Sequence, residues 1–131
     1  MRKTEIVEKL RALPFDSSEY WVIAGGAMVL YGLREETSDI DLGCTAAMAD
    51  KLAAAGYPCH LTPDGKRSFS LGGEIEVFEN WLYDKVVFAD GVPVISLPGL
   101  LEMKRRLGRE KDERDIRLIQ EFIKDKNMEV V

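Results

Sequence analysis

At 131 residues, with 46% apolar and 31% charged side chains, the chain is long enough for one core, too short for two, and too apolar for disorder. Its formal charge of −5 argues against a protein that wraps nucleic acid, and two cysteines with one histidine exclude a disulfide framework or a zinc site. No apolar run approaches the roughly 20 residues of a membrane span, and the opening MRKTEIVEKLRAL lacks a signal peptide's apolar centre, so a cytoplasmic location is expected.

Ile6, Val7, Leu10 and Leu13 form one helical stripe over residues 4–13, which Pro14 stops. YWVIA (residues 20–24) is a short aromatic and β-branched run ended by Gly25, and reads as a buried strand. A short helix over residues 27–31 precedes Gly32. Residues 39–44 alternate acid with Ile40, Leu42 and Cys44, a half-buried strand. Thr45 then caps an alanine-rich helix to about residue 55, with Gly56 just past its end.

The middle reads as antiparallel. Residues 57–61 and 66–71 flank the turn TPDG, Gly72-Gly73 leads into a strand over 74–78, and Asp90-Gly91 joins strands over 85–89 and 92–95. Ser96 and Pro98 open a helix running to Leu107, Gly108 breaks it, and a last helix spans 109–126 with Ile116, Ile119, Phe122 and Ile123 facing inward. Residues 101–126 hold nine of the eighteen Lys and Arg against seven acids. The blocks KRR and REKDER there read as a solvated helix face with i, i+4 pairs. The order implies one α+β domain over residues 1–131, with a mixed sheet and two C-terminal helices.

Two features carry chemistry. Gly25-Gly26 stand at a strand-to-helix junction, where backbone N–H groups can cradle phosphate oxygens. Asp39 and Asp41 are two apart on the next strand, so both side chains point the same way and can share a divalent cation. Without a cation, two such charges about 4 Å apart would repel by roughly 4 kcal/mol in a semi-buried site. A third acid lies in GGEIEVFEN, where Ile75 and Val77 point inward and leave Glu74 and Glu76 on the other face. Paired beside the DID strand, Glu76 would reach the same ion and complete a phosphoryl-transfer site.

The segment GGAMVLYGLREETSDIDL resembles the nucleotidyltransferase superfamily of the DNA polymerase beta type, in its minimal and antibiotic-adenylyltransferase-like branch. SLPGLLEMKRRLGREKDERDI is similar to that family's closing helices, with Lys104 ahead of Arg109, Lys111, Asp112 and Asp115. The resemblance implies a nucleotidyltransferase-like α/β sandwich and a Mg²⁺-dependent enzyme, with one or two ions, that moves a nucleoside monophosphate from a nucleoside triphosphate to a hydroxyl of a small molecule, protein or RNA. Asp39, Asp41 and Glu76 would then be the catalytic and metal-holding residues. Gly25 and Gly26 would bind the β- and γ-phosphates, with Arg34 and Lys104 as further phosphate contacts.

The chain departs from the pattern where Gly26 replaces a frequent serine and where the third acid is glutamate, which leaves Glu74 as an alternative to Glu76. Arg34 reads equally as a surface arginine and Lys104 as a snorkelling one, while Asp112 and Asp115 read as helix-surface partners of Arg109 and Lys111. A different class also fits, namely a non-catalytic nucleotide- or partner-binding domain such as a toxin–antitoxin component. A simple metal-binding scaffold is a third. The small size implies a homodimer or a helical partner protein to complete an acceptor pocket.

Overall fold

The computed structural model describes residues 1–130. In chain order it comprises α1 (Lys3–Arg11), β1 (Tyr20–Ile23), α2 (Ala24–Leu30), β2 (Ile40–Cys44), α3 (Ala46–Ala54), β3 (Cys59–Leu61), β4 (Arg67–Leu71), β5 (Ile75–Glu79), β6 (Val86–Ala89), β7 (Val92–Ile95), α4 (Leu97–Leu107) and α5 (Asp112–Val130). The strands form one mixed sheet of order β3-β4-β5-β2-β1-β7-β6. β1 runs parallel to β7 and β2 parallel to β5, and the other neighbours are antiparallel. This is the α+β sandwich with two C-terminal helices expected from the element order.

Local chemistry accounts for the boundaries. The Thr45 hydroxyl accepts from the Met48 amide at 3.2 Å and Ser96 caps α4 in the same way through Gly99 at 3.1 Å. The left-handed Gly108 (φ +58°) ends α4. α2 begins three residues earlier than the sequence suggests. β1 turns directly into it through Ala24, which sits at φ +55°, so both glycines belong to the first helical turn.

All four residues of β1 are buried, as befits a central strand. On β2, Ile40, Leu42 and Cys44 are buried and belong to the same core cluster as Val77, Phe69, Ile6, Leu10, Met48 and Leu52. Asp41 and Gly43 occupy the opposite face of β2. The inward stripe of α5 differs from expectation. Over residues 112–126, Asp112, Asp115 and Ile119 are its buried positions, whereas Ile116, Phe122 and Ile123 are half-buried. No helix is long and apolar enough to cross a membrane among the described residues.

Gly43 shows how tightly this face is assembled. A side chain there would overlap the Trp21 indole nitrogen and press on the Trp81 carbonyl oxygen at 2.5 Å, breaking the 2.7 Å hydrogen bond that the indole donates to that carbonyl. Gly43→Ala is expected to destabilise the fold by about 2–4 kcal/mol in chemical denaturation.

Candidate active site

Strand register builds the acidic centre. Asp41 on β2 pairs with Ile23 on one side and with Glu76 of β5 on the other, and Glu76 in turn pairs with Ser70 of β4. Cross-strand partners share a face, so Asp41 and Glu76 project together from adjacent strands. Asp39 lies just before β2, with its carbonyl accepting from the Thr37 hydroxyl at 3.2 Å. Glu74 is held elsewhere, by Lys9 at 2.6 Å, and Glu79 is bound by Arg67 on the far face, which leaves Glu76 as the third acid.

These side chains border a cleft of about 480 Å³ that also exposes Gly25, Arg34, Thr37, Phe78, Lys104 and Arg109. Burial pushes the Asp41 carboxyl up to about 6, and the charges of Asp39 and Glu76 push in the same direction against the opposing pull of Lys104 and Arg109. The Asp41 carboxylate therefore feels both of its acidic neighbours. As the side chains lie, no group of three His, Cys, Asp or Glu is gathered around one point tightly enough to grip an ion, among the described residues. Asp39 and Glu76 are exposed, next to the half-buried Asp41. Three hard oxygen donors on adjacent strands fit Mg²⁺.

Gly25 lines the cleft. Any Cβ there would stand 2.9 Å from both the Arg34 Nη1 and the Thr37 Oγ1, so its missing side chain leaves a corner walled by a guanidinium and a hydroxyl. Gly26 is different: it is buried and its open side faces the Val22 side chain at 2.9 Å, so close packing explains this glycine without a ligand.

Beside this corner the lining continues as a buried ion network. Lys104, 4% exposed, lies 3.3 Å from Asp112 and 3.0 Å from Asp115. Arg34 also holds Asp115 at 2.7 Å, and Arg109 holds Asp112 at 2.7 Å. The Arg109 hydrogen bond keeps the Asp112 carboxyl below the usual carboxylate range, with Lys104 acting in the same direction. This corrects the reading of Asp112 and Asp115 as helix-surface residues and of Lys104 as a snorkelling lysine. All three are interior. Positions 112, 115 and 119 lie on one helical stripe, but aspartates on such a stripe give no local sign of burial. Thr37 and Phe78 were also missed. Phe78 follows Glu76 by two residues and so shares its face, a period-2 relation readable once Glu76 is chosen.

No family model and no curated protein sequence matches this chain. Its fold is nevertheless nucleotidyltransferase-like. The chain superimposes on the structure of a candidate nucleotidyltransferase (TM1012) of Thermotoga maritima with a TM-score of 0.61 and 17% identity, covering 89% of this chain and 93% of that one.

Two outcomes follow from the electrostatics. The Asp41 carboxyl is raised from 3.8 in the unfolded chain to about 6, so its penalty on folding is absent below pH 4, grows between pH 4 and 6, and is complete above. Asp41→Asn is therefore expected to stabilise the metal-free protein at pH 8 by about 1–3 kcal/mol, an advantage that thermal melts should show fading towards pH 4. Lys104→Met leaves two buried carboxylates short of a cation and should cost about 3 kcal/mol in denaturant titration.

Proposed function

We propose that the protein is a Mg²⁺-dependent nucleotidyltransferase that moves a nucleoside monophosphate, adenylyl in the simplest case, from a nucleoside triphosphate to an acceptor hydroxyl. The observation that carries this reading is the register of Asp41 against Glu76, with Asp39 one residue ahead of β2, beside a corner of phosphate donors. A structural role does not explain three like charges at one place on a sheet.

Asp39, Asp41 and Glu76 would hold the magnesium, which when bound supplies charge neutralisation to the phosphates. The Gly25 main chain, the Thr37 hydroxyl and the Arg34 guanidinium would receive the β- and γ-phosphates, with Arg34 kept in place by its bond to Asp115. Lys104 and Arg109 add positive potential to the same cleft. Lys104 acts from within its ion network and not as a free phosphate ligand, because Asp112 and Asp115 already take its ammonium. Glu76, exposed on β5, would accept the proton of an attacking hydroxyl.

Calorimetric titration with Mg²⁺ and a non-hydrolysable ATP analogue should show binding that requires the metal and weakens at least about 100-fold in Asp39→Asn, as expected when one ligand of a charged phosphate site is removed. Metal-independent binding that survives this substitution would overturn the reading. Metal-dependent binding without pyrophosphate release from labelled ATP would instead favour a nucleotide-binding module.

A further inference from the structure

Strand order gives the cleft a direction. Gly25 follows β1, Asp41 stands on β2, Glu76 on β5 and Ser70 on β4, and these strands are neighbours in that sequence. The four cations of the cleft, Arg34, Lys104, Arg109 and Lys111, come from the loop after α2, from α4 and from the α4–α5 connection. Contacts running Arg34–Asp115–Lys104–Asp112–Arg109 tie three of them into one wall. β4 and β5 add no cation to the cleft. They contribute Glu76 and the half-buried ring of Phe78, and on the same face Ser70 lies opposite Glu76 and Ser68 opposite Phe78.

In-line displacement at phosphorus requires the attacking and leaving oxygens to lie on opposite sides. With the leaving pyrophosphate drawn towards Gly25 and the cationic wall, the attacking hydroxyl must arrive over β5 and β4. Resting on nucleotidyl transfer as the reaction, we propose that Phe78, Ser70 and Ser68 form the acceptor-binding surface, and that the acceptor is an uncharged hydroxyl compound with an apolar ring face. A nucleic-acid end would need cations along its path to meet its phosphates. This side offers instead a carboxylate, two small hydroxyls and one aromatic face, a combination suited to a neutral ring bearing hydroxyl groups. The ring has an aromatic neighbour on the same face of the sheet. The Phe78 ring lies 5.9 Å from that of Trp81, whose carbonyl accepts the 2.7 Å hydrogen bond from Trp21. In the transfer, the acceptor oxygen bonds to the α-phosphorus as its bond to the β-phosphate bridging oxygen breaks. The hydroxyl proton passes to the Glu76 carboxylate and then to water, and pyrophosphate leaves on the Gly25 side.

The test supplies the protein, Mg²⁺ and α-labelled ATP to phenyl β-glucoside and, separately, to an RNA oligonucleotide with a free 3′ hydroxyl. The glucoside should be labelled and the RNA not. Phe78→Ala and Ser70→Ala should lower kcat/KM for the glucoside by about tenfold, chiefly through KM, while analogue binding stays within about twofold of the wild type. Phe78→Leu keeps the apolar contact, guards against misfolding, and should lose less than Phe78→Ala. Label on the RNA, label on neither acceptor while the analogue binds, or variants that weaken analogue binding as much as transfer would each overturn the assignment. Wild-type protein that fails to bind the analogue at all would mark the failure of nucleotidyl transfer itself, so the binding measurement tells the two failures apart.

Discussion

The parallel pairing of β2 with β5 is the constraint on which the rest of the molecule depends. Ile40 and Leu42 on one strand and Ile75 and Val77 on the other all point into the core, so a slip of one residue would expose an entire apolar set. Main-chain bonds close the pairing at both ends, from the Ile40 amide to the Glu74 carbonyl at 2.8 Å and from the Asn80 amide to the Cys44 carbonyl at 2.7 Å. Hydrophobic burial on one face thus forces Asp41 and Glu76 together on the other. The raised Asp41 carboxyl is the electrostatic trace of that enforced proximity.

A second arrangement answers it. α4 and α5 meet through charged groups as well as apolar ones, and the Lys104 ammonium between Asp112 and Asp115 is almost wholly out of water. A buried charge set of this kind adds little net stability over an apolar contact but is costly to break, so it fixes one geometry. Its outermost member, Arg34, belongs to the loop leading to Asp39. The helical layer and the acidic loop are in this way joined by an ion pair at the rim of the cleft. The sheet supplies negative charge, the helices positive charge, and the cleft lies where the two meet.

Much of this was legible in the residues. Alternation located β2 and β5, the Thr45 and Ser96 caps located α3 and α4, and Asp90-Gly91 located the last hairpin, because each signal depends on neighbours within a few positions. Alternation along a single strand set Glu79 aside but left Glu74 and Glu76 on one face, and only the contact of Glu74 with Lys9, 65 residues away, separates the two. The interior position of Asp112 and Asp115 was not legible in the same way. In sequence they look like surface helix charges, and only Lys104 and Arg34, 8 and 81 residues away from their respective partners, give them a reason to be buried.

By itself the sequence determined which elements form, which face of each is apolar, and that acids and glycines stand at strand ends, since propensity, periodicity and capping are local properties. Only the tertiary structure decided which strands become neighbours. That decision put Glu76 beside Asp41, turned Gly26 into a packing residue while Gly25 opens on the cleft, and brought cations from the helices to a cleft whose acids stand on the sheet. Strand order and the burial of distant charges are settled by how one core closes around all the elements at once, and no local window of residues contains that information.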